Sequence, residues 1–296
     1  MNDVLVRPAR RSKKAFLKNL VWSAANSCAL GGLYTGRLEK HWLRLERRPM
    51  LLPHLGEGFR GATVAHVSDL HCSPIVRGRY LRHCVEAINA VQPDFVAITG
   101  DFITGPRSYI RRIARILKGL TPKTAVLACL GNHDYGIFHP RGRGGKGELA
   151  EMLYDELGHA DIFVMRNERR VFHRKGESLQ FIGVEDFWSS SYDPKLAFDM
   201  AHPHLPTIAL CHNPDAAMDL ARHGADWVLA GHTHGTGIAN RKLAALFFPT
   251  VHKHFTAGQY SLGEGKYLYV NRGLSYGRRR NLNGRPEITL FTLASA

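Results

Sequence analysis

Five short apolar runs in this chain each lead into a residue type that binds metal ions. The runs are residues 62–67, 95–98, 125–130, 207–211 and 227–230. The polar segments that follow them are Asp69-Leu70-His71, Gly100-Asp101, Gly131-Asn132-His133-Asp134, His212-Asn213 and Gly231-His232-Thr233-His234. Short apolar runs bounded by Gly, Asp and Asn are typical of buried strands. Because ligands bind at the carboxyl ends of strands in α/β sheets, the five segments predict one shared site.

Strands alternate with helices after Gly61, and the pattern changes to short strands after Asp161. Helices are predicted around residues 80–91, 109–120, 148–157 and 215–222. Further strands are predicted near Phe163 and Val171 and over residues 179–184, 267–270 and 287–293. This alternation with additional β pairing predicts an α/β fold and permits two packed sheets. A chain of 296 residues can form one such domain, predicted over residues 58–296, preceded by a short extension.

The chain is basic, with 40 Lys and Arg residues against 25 Asp and Glu residues and a formal net charge of +15. Such an excess predicts attraction to an acidic partner: anionic lipid, nucleic acid or a phosphorylated small molecule. No basic stripe interleaved with aromatic residues is visible, so a specific nucleic-acid partner is not expected. The second predicted helix is basic on its exposed side, through Arg111, Arg112, Arg115 and Lys118, and such a side is usually only solvated.

The first fifty residues form a separate segment in this prediction. A basic start with Arg10 and Arg11 precedes an apolar stretch over residues 20–33, which is shorter than the ~20 residues of a spanning helix. The arrangement resembles an export signal. Residues 37–48 are predicted to form a helix with Trp42 and Leu45 on one face, as in helices that lie in a membrane interface. Three alternatives stay open: attachment to an anionic membrane surface, favoured at the cytoplasmic face, export, or packing of both helices on the catalytic domain.

The mixture of carboxylate, imidazole and amide groups suits Mn, Fe or Zn. Alternate residues of an extended chain point to the same side, so Asp69 and His71 are expected to reach one ion. The same alternation applies to His232 and His234, and Gly231 is expected to permit a tight turn before them. Asp101, at the end of a neighbouring strand, is placed to bridge two ions. The ligand types at the five strand ends are too many for one tetrahedral ion, which predicts two.

The order of these motifs resembles the calcineurin-like metallophosphoesterases, from residue 61 to residue 293. The resemblance implies a four-layer α/β/β/α sandwich. It also implies that one metal ion is held by Asp69, His71, Asp101 and His234. The other ion is held, by the same resemblance, by Asp101, Asn132, His212 and His232. His133 is expected beside the leaving-group oxygen, with Asp134 orienting it.

Two-metal chemistry accounts for the mechanism that this ligand set predicts. Ions about 3.5–4 Å apart lower the pKa of a bridging water, which then attacks as hydroxide, and they clamp the phosphoryl oxygens during in-line displacement. His133 is expected to protonate or stabilise the departing oxygen, which is general acid catalysis.

The end of the chain resembles a bacterial membrane-associated phosphodiesterase branch of the family. The resemblance lies in residues 267–274 and 285–290, together with the basic and apolar start of the chain. The branch includes enzymes of the UDP-2,3-diacylglucosamine pyrophosphatase type, which act in lipid A biosynthesis. After the last ligand motif this chain has Gly235-Thr236-Gly237, where the branch commonly has Gly-Gly-Gln. The resemblance implies hydrolysis of a phosphodiester or pyrophosphate bond in a membrane-associated substrate such as UDP-2,3-diacylglucosamine.

Three cations close to the Asn132 motif are candidates for substrate binding. Arg141, Arg143 and Lys146 follow that motif, and Arg can bind phosphate oxygens in a bidentate manner. A solvated loop is the equally simple interpretation. Two other functions remain alternatives: a general phosphodiesterase or nuclease for soluble or nucleic-acid substrates, and a non-catalytic scaffold. The scaffold is disfavoured because the chain keeps every expected ligand together with His133.

Overall fold

The computed structural model describes residues 42–139, 147–199, 201–235, 255–276 and 285–296. Within these residues, the predicted strands and helices from residue 62 onward are present, and β1, α4 and β10 are additional elements. The strands are β1 (Arg44–Leu52), β2 (Thr63–Val67), β3 (Phe95–Thr99), β4 (Ala125–Cys129), β5 (Ile162–Val164), β6 (Glu168–Arg174), β7 (Glu177–Gly183), β8 (Thr207–Leu210), β9 (Trp227–Ala230), β10 (Gly258–Gly263), β11 (Lys266–Val270) and β12 (Glu287–Ser295). The α-helices are α1 (Gly78–Ala90), α2 (Ser108–Leu117), α3 (Glu148–Gly158), α4 (Pro194–Asp199) and α5 (Ala217–His223). Short 3-10 turns follow β4 and β8, over Asn132–Tyr135 and Pro214–Ala216.

The strands form two six-stranded sheets. The first has the order β1-β12-β2-β3-β4-β5, with β12 antiparallel to β2 and the other neighbours parallel. The second has the order β10-β11-β9-β8-β7-β6, in which the outer strands β10 and β6 are antiparallel to their neighbours. Because β2, β3 and β4 are parallel, and β8 and β9 are parallel, the carboxyl ends of these strands lie at one edge of each sheet.

Three apolar cores separate four layers. The middle core lies between the sheets, where Phe95 and Leu127 of the first sheet meet Phe181 and Trp227 of the second. An outer core packs α1, α2 and α3 on the first sheet, and another packs α4 and α5 on the second. Strands such as β3 and β4 are buried on both faces, which explains their uninterrupted apolar sequences. The predicted α/β/β/α sandwich is confirmed.

The helix predicted over residues 37–48 is wrong from Arg44 onward, where the chain forms strand β1. β1 runs parallel to β12, with Arg44 opposite Glu287. Met50 and Leu52 point into the core between the sheets. The burial of these side chains and the pairing with β12 stabilise a strand here, although Trp42 and Leu45 have the spacing of a helix. Pro49 cannot donate to a sheet ladder, and β1 accommodates it because it is an edge strand.

Residues 44–50 therefore belong to the same sheet as the domain predicted over residues 58–296. The basic and apolar stretch of the predicted N-terminal segment lies in residues 1–41, outside the described residues. Among the helices that are described, none has both the length and the apolar character needed to cross a bilayer.

Candidate dinuclear metal centre

The carboxyl edges of the two sheets meet, and the predicted ligands lie where they meet. Asp69 and His71 follow β2, Asp101 follows β3, Asn132 follows β4, His212 follows β8, and His232 and His234 follow β9. Main-chain hydrogen bonds tie these segments together: Asp69 N donates to Gly100 O at 3.0 Å, and Gly231 N donates to His212 O at 2.9 Å. The convergence predicted from five strand ends is thus present in the fold.

One ligand group consists of Asp69, His71 and His234. The Nε2 atoms of the two imidazoles are 3.1 Å apart, and Asp69 Oδ1 is 3.4 Å from His234 Nε2 and 3.7 Å from His71 Nε2. Asp69 Oδ1 is buried and has no hydrogen-bond partner within the described residues. A buried carboxylate oxygen without a partner is costly, and a cation between these three atoms removes that cost. The group therefore fits a metal ion.

A second group consists of Asn132, His212 and His232. Asn132 Oδ1 lies 3.0 Å from His232 Nδ1, which is 3.3 Å from His212 Nε2. The Asn132 amide nitrogen donates to the carbonyl of Ile137 at 2.6 Å, which turns Oδ1 toward the site. His212 Nδ1 donates to the carbonyl of Thr99 at 2.7 Å. Since a carbonyl can only accept, Nδ1 carries a proton, and Nε2 is the ring nitrogen that faces the site and can bind a metal ion.

Asp101 lies between the two groups. Its Oδ2 is 3.4 Å from His71 Nε2 and 3.2 Å from His212 Nε2, and its Oδ1 accepts the main-chain N–H of His133 at 2.9 Å. A lone pair on His212 Nε2 and a carboxylate oxygen repel each other unless a proton or a metal ion lies between them. One carboxylate thus faces a ligand of each group, as a bridging ligand must.

Electrostatics favour positive charge between Asp101 and His212, whereas burial together with His212 lowers the pKa of His232 to about 3. Burial disfavours the protonated form of His212, but Asp101 and Asp69 outweigh this effect and hold its pKa well above the ordinary value. Burial also opposes ionisation of Asp101, and the surrounding imidazoles nevertheless keep its pKa well below the usual range. A divalent ion has the charge that this field stabilises, and the oxygen and nitrogen donors are those of a borderline metal.

The ligand-bearing backbone is not extended, contrary to the alternation expected for the Asp-x-His and His-x-His motifs. Asp69, His71, Asp101, His232 and His234 all have left-handed backbones, with φ of 51°, 44°, 56°, 70° and 54°. Among residues with a side chain, Asp and His tolerate this region better than most. Each such residue costs about 1–3 kcal/mol, and clusters of them are typical of functional sites. The two residues of each motif do converge, but through a sharply curved chain.

Gly231 is required for a close approach and not for the tight turn that the sequence suggested. Its φ is not in the left-handed region, but an added Cβ would lie 2.5 Å from Asp69 Oδ2 and even closer to Ser68 Oγ. The same Asp69 oxygen accepts the main-chain N–H of His232 at 3.0 Å. The missing side chain therefore lets the end of β9 lie directly on the end of β2.

His133 lies beside the first ligand group, and its place beside a leaving-group oxygen stays a prediction. Its ring is edge-on to His71, with the ring centroids 4.8 Å apart. Asp134 is fully buried, and its carboxylate accepts main-chain N–H bonds from Phe102 and Gly131, each at 2.9 Å. Burial, together with Asp101, raises the pKa of Asp134 to about 7. The Asp134 carboxylate thus joins the loops after β3 and β4, and its role in orienting His133 stays a prediction.

Two hydroxyl groups at the centre were not predicted from the sequence. Thr104 Oγ1 lies 2.5 Å from His71 Nδ1 and 3.4 Å from His133 Nδ1, so it connects a candidate ligand with the candidate acid. Ser275 Oγ is 3.4 Å from His234 Nδ1. Thr104 comes shortly after the Gly-Asp motif and Ser275 shortly after β11, but neither residue type signals such a role.

A cavity of about 80 Å³ opens beside the first ligand group. Its walls combine imidazoles, hydroxyls and two aliphatic side chains. They are His71, Ser73, Ile75, Val76, Thr104, His133, His234 and Ser275. A substrate in this cavity would contact His133 directly. The predicted phosphate-binding residues Arg141, Arg143 and Lys146 lie outside the described residues, and their role stays a prediction.

Fold and centre together define a metallophosphoesterase. Residues 62–236 match the family described as calcineurin-like phosphoesterase. The chain belongs to this family, as its motifs predicted, and is a phosphoric ester hydrolase.

Three relatives align with nearly the whole chain. The UDP-2,3-diacylglucosamine pyrophosphatase LpxG of Chlamydia trachomatis is 28% identical over 305 positions, covering 88% of this chain and 92% of the relative. The uncharacterized metallophosphoesterase YkuE of Bacillus subtilis is 31% identical, covering 97% and 99%. The phosphodiesterase YaeI of Escherichia coli is 27% identical, covering 95% and 99%.

Proposed function

We propose that the protein hydrolyses a phosphodiester or pyrophosphate bond with two divalent metal ions, which are Mn, Fe or Zn. The observation that carries this proposal is the position of Asp101 Oδ2 between His71 and His212, with further ligand types on either side. Two bound ions supply an activated water and neutralise charge on the phosphoryl oxygens. Asp69, His71 and His234 hold one ion together with Asp101. Asp101 also holds the other ion, with the ligands Asn132, His212 and His232.

His133 is the proton donor in this proposal. Thr104 Oγ1 lies at the Nδ1 side of its ring, which leaves Nε2 for the leaving-group oxygen. Burial lowers the pKa of His133, and the nearby Asp101 carboxylate opposes this effect by favouring the protonated ring. The hydrogen bond from His133 N to Asp101 Oδ1 fixes the main chain of the donor relative to the shared carboxylate.

The proposed substrate is lipid-linked and phosphorylated, as UDP-2,3-diacylglucosamine is. The name of the chlamydial relative supports this substrate. The structure adds that Ile75, in the cavity wall, and Phe138, whose ring centroid is 4.8 Å from that of His133, are each 63% exposed. Exposed apolar side chains at the mouth of a polar site suit an acyl chain. Arg141, Arg143 and Lys146 are the proposed phosphate contacts.

Membrane association at the cytoplasmic face is part of the same proposal. It rests on the basic and apolar character of residues 1–41, proposed as a segment separate from the sandwich, and on the net charge of +15. Export of the chain by an N-terminal signal is the competing possibility.

A general phosphodiesterase or nuclease is the second candidate function. The Escherichia coli relative is named only as a phosphodiesterase, and the positive charge also suits a polyanionic substrate. A scaffold without activity is the weakest candidate, since the candidate ligands and His133 converge on one site.

An assay of competing substrates tests the proposal. The chain is purified with Mn²⁺ and given UDP-2,3-diacylglucosamine, a simple aryl phosphodiester and single-stranded DNA in parallel. We expect rapid cleavage of the lipid nucleotide. Preference for the aryl ester or for DNA would discard the lipid substrate and leave the two-metal chemistry in place, whereas no cleavage of any substrate would favour a scaffold.

A further inference from the structure

The helices α1 and α2 present a strongly basic surface, here called the α1–α2 face. Eight exposed cations lie on these helices and on the residues that flank them, and the only acidic residue in the same two segments is Glu86. The cations are Arg77, Arg79, Arg82, Arg107, Arg111, Arg112, Arg115 and Lys118.

Packing forces these cations to one side. The apolar residues of α2, such as Ile113 and Leu117, are buried in the core above the first sheet, so the remaining positions of the helix point away from it. The side chain of Arg112 reaches the start of α1, where its Nε would lie 3.1 Å from a Cβ at Gly78. The two helices thus share one continuous charged surface.

The helical layer on the opposite side of the sandwich has no comparable excess. Across α4, α5 and residue 193, two cations face three acidic side chains. The cations are Lys195 and Arg222, and the acidic residues are Asp193, Asp199 and Asp219. The third helix of the basic layer, α3, is itself acidic, and its Glu156 pairs with Arg111 at 3.0 Å. The positive charge is therefore concentrated on the α1–α2 face and is not a property of the whole layer.

The α1–α2 face adjoins the mouth of the active-site cavity. The loop between β2 and α1 provides Ser73, Ile75 and Val76 to the cavity wall, and Arg77 follows directly. Ile75 is 63% exposed, which places a large apolar side chain at the end of the basic surface. Cations surrounding an exposed apolar tip are suited to a surface with anionic headgroups above an apolar layer.

We propose that the α1–α2 face docks the protein on an anionic lipid bilayer, with the cavity mouth toward the headgroups. The orientation rests on the proposed lipid-linked substrate, whereas the docking itself does not require hydrolysis. A basic residue close to an anionic bilayer strengthens partitioning about fivefold. Several such residues on one face can hold the catalytic domain at the surface without any spanning segment.

Two triple variants of the full chain, matched in charge change, test this surface. The first removes three exposed cations of the face: Arg79→Gln, Arg82→Gln and Arg115→Gln. The control removes three exposed cations elsewhere: Lys175→Gln, Lys195→Gln and Arg222→Gln. Partitioning is measured on vesicles of phosphatidylglycerol and phosphatidylcholine and on phosphatidylcholine alone. We expect the first variant to bind anionic vesicles roughly 10- to 100-fold more weakly and the control to change less than about twofold. Equal partitioning of the two variants would overturn the proposal.

Amide hydrogen exchange locates the contact independently of any attachment by residues 1–41. Anionic vesicles should slow exchange in α1 and α2 and leave α4 and α5 unchanged. Single-stranded DNA is added in parallel at the same phosphate concentration. Protection by DNA but not by vesicles would assign the face to nucleic acid, and protection confined to other elements would also contradict docking. These measurements contain no substrate, so a failure of the proposed hydrolytic function would not alter them.

Discussion

The two ligand groups of the centre differ in what holds their imidazoles. In the group next to the cavity, the partners are side-chain hydroxyls: Thr104 contacts His71, and Ser275 lies near His234. In the inner group, His212 instead has a main-chain partner, since it donates to the carbonyl of Thr99. A hydroxyl can rotate, whereas a carbonyl at the end of a buried strand moves only with the sheet.

Exposure divides the two groups only in part, because Asp69 and His71 of the outer group are also buried and His232 of the inner group is half-buried. His71 and His234 line the cavity, and His234 has 26% of its side chain exposed. His212 and Asn132 are almost completely buried. Asn132 and His212 of the inner group are therefore preorganised and shielded from water, whereas His234 of the outer group is accessible from the cavity. We expect the inner group to bind its metal ion more tightly, because less ordering is needed on binding.

Replacement of the shared carboxylate should have the largest effect, because it weakens both groups. Asp101→Asn keeps the shape of the side chain, and Asn, like Asp, tolerates the left-handed backbone of this position. We expect turnover to fall by about 10⁴-fold or more, since each ion contributes several kcal/mol. Metal content, measured by elemental analysis, should fall below one ion per chain.

Asp219→Asn provides the control, because Asp219 lies on α5 and pairs with Arg222 at the surface. It should retain two ions and normal turnover. Two tightly bound ions in the Asp101→Asn protein would show that the carboxylate does not connect the groups.

Removal of the candidate proton donor separates chemistry from metal binding. We expect His133→Ala to keep both ions and to lower turnover by about 10²–10⁴-fold, the usual contribution of general acid catalysis. The loss should be smaller for an aryl ester whose leaving group needs no proton. His83→Ala, on the exposed side of α1, serves as the control. Normal turnover of His133→Ala would remove this residue from the mechanism.

Stepwise chelation tests the difference between the groups directly. As the chelator concentration rises, we expect the accessible ion beside the cavity to leave first, at a concentration roughly 10- to 100-fold lower than the inner ion. A stable intermediate with one ion per chain should result. His234→Ala should resemble this intermediate in metal content. Simultaneous loss of both ions would show that the groups do not differ in affinity.

The sequence predicted the parts of the centre that local patterns encode. Strands β3 and β4 are visible as apolar runs, and the Asp, His and Asn residues that follow them can be assigned by type and order. The left-handed backbone of His71 could not be predicted, because residue type does not reveal φ. Strand β1 was missed because its partner, β12, is at the other end of the chain, and pairing at such separation has no local signal.

The role of Thr104 could not be predicted from the sequence. Replacing Thr104 is expected to have the smallest effect among the tests that compare the two ligand groups. Its hydroxyl is close to Nδ1 of both His71 and His133, but one threonine among many carries no pattern that would indicate this. If hydroxyl support makes the outer group adjustable, Thr104→Val should lower the affinity of the outer ion about 10-fold. The affinity of the inner ion should be unchanged in the same titration, because its ligands Asn132 and His212 are hydrogen-bonded to main-chain carbonyls.

Thr104→Ser keeps the hydroxyl and is the matched control for Thr104→Val. We expect it to restore the outer ion's affinity to within about threefold of the parent, since only a methyl group is lost. Nitrogen chemical shifts of the imidazoles in the metal-free protein provide a readout that does not depend on activity. They should show the Nδ1–H form of His71 in the parent and in Thr104→Ser, and a mixture of the two neutral forms in Thr104→Val. Equal weakening of both ions would mean that Thr104 supports the whole centre, and the division between a rigid and an adjustable group would then have to be abandoned.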